Sequence, residues 1–317
     1  MKKLFSTLLL FAMIATLLVS CNNPETPPTE PTTINIGVMS GPTGMGMAKL
    51  INDAGADSEL YKFSIYTTPT DATADLASGA LDMLCLPTNT AANLANKKAD
   101  YISVLAVNTL GSLYLLTDKD TEIKSIADLE GKTIYASVPS STTGPIINYL
   151  LEKNNVSATV EFEPDHDELV KKVVSGAAPI VVLPEPKVTA ALTKNSEYSV
   201  DLNLSTEWSK VSETPLTMGC IVVRNDFLNE NKAAVDAFLE KYEESIEYVN
   251  NSANNESAAQ MIVGAGILPQ LPVAEKALTN LYGSISYIDG TEMKTALKGF
   301  YAAIGIASPA DAFYYEK

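Results

Sequence analysis

The chain has 317 residues, with 38 acidic against 22 basic side chains and a formal net charge of −16. That balance excludes a nucleic-acid partner, whose binding rests on Lys and Arg contacts to phosphate, and it suits a solvated extracytoplasmic surface. Arg224 is the lone arginine and His166 the lone histidine; the cysteines are Cys21, Cys85 and Cys220.

The N-terminus reads MKKLFSTLLLFAMIATLLVSC: two lysines, an apolar run from Leu4 to Val19, then small residues. This is the pattern of a secretion signal, and a run of ~16 residues falls short of the ~20 that span a bilayer. Leu18-Val19-Ser20-Cys21 has the form of a bacterial lipobox. Residues 1–20 are therefore expected to be a signal peptide and Cys21 the lipidated new N-terminus; the competing reading is an apolar anchor with a chance cysteine. Residues 21–33 are rich in Pro and Thr and lack large apolar side chains. Such a segment cannot bury a core, so it is expected to be a solvated tether. Residues 34–317 are long enough for one large domain or two of ordinary size.

Two segments of that body carry one plan. TINIGVMSGPTG (Thr33–Gly44) and TIYASVPSSTTG (Thr133–Gly144) each open with a β-rich run and a Ser/Thr/Pro/Gly loop. A helical pattern follows, then a second strand, KFSIYTTP or ATVEFEPD, and a second helix ending in Ser-Gly. The third strand lies in SGALDMLCLP (Ser78–Pro87) or SGAAPIVVLP (Ser175–Pro184), which agree at Ser, Gly, Ala, Leu and Pro. The unit β-loop-α-β-α-β thus occurs twice. Apolar strands alternating with helices argue for α/β sheets with parallel strands, covered by helices. Pro87 and Pro184 end their strands because proline cannot donate to a ladder. Tyr101–Asn108 and Gly111–Asp118 read as further strands, Leu216–Leu228 as another, and helical patterns close the chain. SLYLLTD and MGCIVVRND are expected to cross between two lobes. Residues 34–115 plus 219–317 would form lobe 1, and 116–218 lobe 2.

Ligands of such sheets bind beyond the carboxyl ends of the strands, and the loops there carry the candidate residues. Ser40, Gly41, Pro42, Thr43, Gly44 and Met45 follow the first strand; glycine admits close backbone approach and helix N-terminal amides favour polar acceptors. The Gly-Lys-Ser/Thr phosphate signature is absent. Ser140, Ser141, Thr142, Thr143 and Gly144 are the counterparts in lobe 2, with more hydroxyls than one helix cap needs. Thr88 and Asn89, Glu185, and Asn108 follow later strands as further binding candidates, against the plainer reading of caps and solvated side chains. His166, in PDHDE, reads as a solvated acidic helix start, without the clustered partners of a metal site. Trp208 is read mainly as a packing residue. Cys85 and Cys220 sit in apolar runs, as buried free thiols or as a disulfide.

The lipobox, the two βαβαβ units, SIADLEGKTIYASVPSSTTG entering lobe 2 and VVLPEPKVTAAL closing it resemble the solute-binding proteins of ABC importers, in particular the NitT/TauT-like group. The C-terminal NNESAAQMIVGAGIL and EMKTALKGFYAAIGI are similar to that group as well. The resemblance implies a two-lobed periplasmic-binding-protein type II fold, each lobe a mixed sheet covered by helices, with two crossing strands as a hinge. It further implies a monomer that captures a small solute by lobe closure and delivers it to membrane permease subunits, anchored to a bacterial membrane by its lipid. No cofactor, metal or catalysis is expected: no Ser-His-Asp setting or CxxC occurs. Two other classes stay open, an enzyme of the same fold in thiamine-pyrimidine or menaquinone metabolism, and a scaffold or adhesin lipoprotein. Arg224 is expected outside the cleft. Glu185 at a sheet edge would favour an amine or ring NH donor, which points to a taurine-like zwitterion or an aminopyrimidine-like heterocycle. On that reading Glu185→Gln weakens binding by at least about tenfold.

Overall fold

The computed structural model describes residues 32–137 and 142–317. The expectations for residues 1–20, for Cys21, for the tether as far as residue 31, and for Ser140 and Ser141 lie outside the described residues.

The first repeat folds as β1 (Ile34–Met39), α1 (Pro42–Met45), α2 (Ala48–Ala54), β2 (Tyr61–Tyr66), α3 (Pro69–Ser78) and β3 (Met83–Pro87), continued by α4 (Thr88–Lys97) and β4 (Ile102–Leu110). The chain then forms β5 (Leu113–Asp118) and the second repeat: β6 (Thr133–Ser137), α5 (Thr143–Lys153), β7 (Thr159–Glu163), α6 (His166–Ser175) and β8 (Ile180–Pro184). α7 (Lys187–Lys194), β9 (Tyr198–Asn203), α8 (Leu204–Ser209) and β10 (Thr217–Arg224) lead to α9 (Asn225–Val249), α10 (Asn255–Gly264), α11 (Leu271–Leu281), β11 (Ile285–Ile288) and α12 (Gly290–Ala303).

The repeated Ser-Gly-Ala is a helix stop. Gly79 (φ 83°) and Gly176 (φ 71°) end α3 and α6 in the left-handed conformation that glycine adopts without a Cβ penalty. The matching starts are capped by Thr68, which accepts from the Asp71 amide, and by Asp165, which accepts from the Glu168 amide at 2.9 Å.

Two sheets result, ordered β11-β4-β10-β3-β1-β2 and β7-β6-β8-β5-β9. Within each, the repeat strands are parallel, and the next strand, β10 or β5, is antiparallel and has just crossed from the other sheet. The sheets are mixed and helix-covered, as expected. The crossing falls earlier than the 115/116 boundary. Leu113 already pairs with Pro184, so the chain changes sheets at Gly111–Ser112, and it rejoins the first sheet at Thr217, paired with Leu110. Gly111 decides the place: a Cβ there would lie 1.6 Å from Ser205 Oγ, so only glycine lets the crossing pass α8.

Alternation along the strands assigns the faces. Leu84, Leu86, Cys220 and Val222 share one core with Leu113, Leu115 and Val182 of the second sheet, whereas Met83, Cys85, Ile221 and Val223 pack beneath α9. Tyr114, Leu116, Val181 and Leu183 meet α6 and α7 on the second sheet's other face. Cys85 and Cys220 therefore lie on opposite faces of one sheet and are free thiols. Burial pushes the Cys85 thiol up to about 12 and the Cys220 thiol well above its ordinary value. Trp208 packs between Tyr149 and Phe300, with ring centroids at 4.6 and 5.7 Å, and donates to the Thr214 carbonyl.

Candidate functional site

The carboxyl ends of the repeat strands open onto one cleft of about 790 Å³, with walls from both sheets. Ser40 and Gly41 turn the chain off β1. The Ser40 amide donates to the Tyr66 carbonyl, and Gly41, at φ 94° and ψ −164°, takes a conformation open to glycine before Pro42 starts α1. Ser40, Gly41, Pro42 and Thr43 line the cleft; Gly44 and Met45 are buried behind it. A Cβ on Gly44 would lie 2.0 Å from the Met39 carbonyl oxygen. That glycine serves close packing of α1 on β1, not solute contact.

Of the residues after β3, Asn89 lines the cleft and Thr88 does not. Thr88 is buried and donates to the Thr217 carbonyl at 3.0 Å. Asn89 Oδ1 accepts from the Thr90 amide and from Thr142 Oγ at 3.3 Å, a bond across the cleft from one half of the chain to the other. Thr142 and Thr143 form the facing wall and Gly144 is buried beside them. Asn108 is 1% exposed and turned inward. Its amide donates to the Thr43 carbonyl and the Tyr242 hydroxyl, and its oxygen accepts from Thr109. It supports the Thr43 loop from behind, so its assignment to the cleft is corrected.

Glu185 is on the wall, yet only 1% exposed, and its oxygens are occupied. Oε1 accepts from Asn280 Nδ2 at 2.7 Å and Thr189 Oγ at 3.1 Å; Oε2 accepts from the Thr189 amide at 3.2 Å. Asn280 sits on α11, and its carbonyl accepts from Tyr114 Oη of the second sheet. The carboxylate thus ties the two halves together. Burial raises its pKa above the ordinary value, against these bonds and the more distant Lys276.

His166 corrects a second expectation. It is half-buried on the cleft wall, with Nε2 3.0 Å from Ser137 Oγ. Burial, then the nearby Lys187, holds its pKa below the ordinary value against Asp165 and Asp167. Lys187 is ion-paired with Asp167, whose carboxyl is lowered mainly by that bond. Thr67, between β2 and α3, and Thr70, in the first turn of α3, also reach the cleft. The repeat held the signal for both sets: TTPT follows the second strand of one unit and PDHD follows the second strand of the other. Arg224 lies away from the cleft, bridging Asp82 and Asp226 at 3.4 Å.

The first residues of α3, α4, α5, α6 and α7 all reach this cleft, through Pro69, Asn89, Thr143, His166 and Lys187. Each helix start carries a partial positive charge, although the Asp71, Thr90, Glu168 and Thr189 amides are already taken by Thr68, Asn89, Asp165 and Glu185. The cleft therefore combines hydroxyls with five positive dipole ends around one ion-paired lysine. Among the described residues no group of three or more His, Cys, Asp or Glu side chains is placed to hold a metal ion.

Two helix-covered sheets around such a cleft make the periplasmic-binding-protein fold, and solved structures share it. An ABC transporter protein from Parabacteroides distasonis is 21% identical with a TM-score of 0.74, covering 90% of this chain and 99% of that one. The periplasmic aliphatic sulphonate binding protein SsuA from Escherichia coli is 16% identical with a TM-score of 0.70, over 90% and 92% of the two chains. The periplasmic nitrate-binding protein NrtA from Synechocystis is 15% identical with a TM-score of 0.60, over 83% and 75%. No curated protein matches the chain in sequence. The family described as "ABC transporter, phosphonate, periplasmic substrate-binding protein" matches residues 57–263, more than half of the chain, and the protein belongs to it. It is thus an extracytoplasmic ligand-binding component of an ABC import system. No helix among the described residues is long and apolar enough to cross a membrane.

Proposed function

We propose that this protein captures a small organic oxyanion of the sulfonate type between its two halves and hands it to an ABC permease, as a monomer held to the membrane by a lipid on Cys21. One observation carries the choice of solute: five helix N-termini and a set of hydroxyls meet in one cleft. Backbone amides and hydroxyls suit a singly charged, weakly hydrated anion. The amine or heterocycle expected from Glu185 loses its support, since that carboxylate accepts from Thr189 and Asn280. A taurine-like solute keeps the sulfonate and remains within the reading. The two crossings at Gly111–Ser112 and before Thr217 allow lobe closure by a hinge.

Calorimetry with methanesulfonate, taurine and an aminopyrimidine tests the solute. Sulfonate binding with a smaller radius of gyration in X-ray scattering is expected; binding of the aminopyrimidine alone overturns the proposal. For the anchor, Cys21→Ala is expected to leave the membrane fraction while folding normally. Equal partitioning of mutant and wild type removes the lipid from the account.

A further inference from the structure

A second cavity of about 490 Å³ adjoins the cleft. Ser40, Gly41, Thr67, Pro186 and Lys187 line both, so no wall separates them. The two differ in charge. The cleft is lined by Asp167 and Glu185 as well as Lys187. The annex is lined by Lys187 and Lys194 and, among the described residues, by no carboxylate. That is a local reversal in a chain where acidic side chains outnumber basic ones 38 to 22. Helix geometry places the two lysines. They are the first and last residues of α7, about two turns apart, so they share a face and stand about 10 Å apart along the axis. Ala190, between them on that face, is too short to fill the gap. Lys187 is paired with Asp167 at the rim. Lys194 is exposed and has no carboxylate partner among the described residues. Thr193 lies beside it, and Gln270 stands opposite, where α11 begins without a side-chain cap. A lysine in a last turn also complements the helix dipole, which accounts for Lys194 but not for the missing acids around the cavity.

A pocket that runs without a barrier into a second one of positive charge fits a solute with two acidic ends. We infer that the annex is the subsite for a second acidic group, and that the solute is a bifunctional anion: an oxyanion head joined by a short chain to a carboxylate. The inference rests on the oxyanion reading above. The head lies among the helix N-termini, and the connecting atoms pass the Gly41–Pro186 rim, where the missing side chain of Gly41 leaves room. A Cβ there would come within 3.8 Å of Pro186 Cδ. Lys194 then holds the far carboxylate, with Thr193 and Gln270 as neutral donors. Lys194 belongs to α7, packed on the second sheet, and Gln270 leads into α11, packed on the first. A carboxylate held there bridges the two halves and favours the closed arrangement.

Isothermal calorimetry of the purified full-length protein at neutral pH tests this. Sulfoacetate, 3-sulfopropionate and 4-sulfobutyrate are each compared with their own carboxamide, so that length and shape are held and only the end charge changes. For at least one chain length the acid is expected to bind about fivefold more tightly than the amide, because a charge-assisted bond to an exposed lysine exceeds a neutral one but is screened by water. Lys194→Gln is expected to bring that ratio close to one and Lys194→Arg to keep it. Methanesulfonate has no second group to reach the annex and is expected to bind both variants as it binds the wild type, which also reports an intact fold. With methanesulfonate still bound, acid-to-amide ratios of one or below at all three lengths overturn the annex alone, as does a ratio that survives Lys194→Gln. Sulfate binding as a second ion to the methanesulfonate-loaded protein, and lost in Lys194→Gln, overturns the single bifunctional solute, since the annex then takes a separate anion. Failure of methanesulfonate and of every sulfonated acid to bind overturns the oxyanion reading and this inference with it.

Discussion

The Glu185–Asn280 bond is the sharpest test of how the two halves are joined. Asn280 Nδ2 donates to Oε1 at 2.7 Å, the shortest of three bonds to a carboxylate that is 1% exposed. A hydrogen bond to a charged group contributes about 1.5–3 kcal/mol, a neutral one nearer 1. Asn280→Ala is therefore expected to cost about 2–3 kcal/mol at pH 7, and only about 1 kcal/mol in a Glu185→Gln background, where the acceptor is uncharged. Trp208, the one tryptophan and almost fully buried, reports unfolding in urea by its fluorescence. The pH arm has a definite sign. Because burial raises the pKa of Glu185 in the folded state, the folded protein binds this proton more tightly than the unfolded chain. The associated stability is complete below the ordinary value of ~4.3 and is lost as pH rises through the raised folded value. Glu185→Gln abolishes that slope. An Asn280→Ala cost equal in both backgrounds to within about 0.3 kcal/mol refutes a charged, coupled acceptor. Methanesulfonate affinity is expected to change less than about threefold in Glu185→Gln, because the bonds at stake are internal ones. A tenfold loss would return the carboxylate to the solute.

Gly219→Ala places a Cβ 2.6 Å from Asn108 Oδ1 and 2.8 Å from Thr43 Oγ. It is expected to cost about 1–3 kcal/mol in urea denaturation and to weaken methanesulfonate binding through the displaced Thr43; unchanged affinity removes Thr43 from the site. The depressed pKa of His166 leaves it neutral at pH 7, and protonation below its ordinary value of 6.5 adds positive charge beside Lys187, Asp165 and Asp167. Methanesulfonate affinity is expected to rise as pH falls below that ordinary value in the wild type and to stay flat in His166→Gln, and matching profiles count against His166 as a solute contact. Cys85 and Cys220 are expected to resist a thiol reagent in the native protein and to react in denaturant, since both are fully buried with raised pKa values; rapid native labelling contradicts the packing described.

What the amino-acid sequence determined by itself is what local physics determines. Ser-Gly-Ala stops a helix because glycine there takes φ near 70–80°, and alternating apolar residues assign each strand two faces wherever it sits. Two copies of one local pattern therefore predicted two equivalent sheets, and the loops at their carboxyl ends predicted the cleft through Ser40, Gly41, Thr43, Asn89, Thr142 and Thr143. Tertiary structure decided which polar side chains of those loops face the cleft. Asn108 and Thr88 read like their neighbours, but Thr43, Tyr242 and Thr217 come to them from distant segments and turn them inward. His166 reads as a solvated helix start, yet it enters the cleft, as Thr70 does, because the second strand of each unit ends at the same edge as the first. Glu185 looked available until α11 brought Asn280 against it from 95 residues away. Periodicity states which face of a segment avoids water; it carries no record of which partner will satisfy a polar group on the other face, because that partner is supplied by long-range pairing.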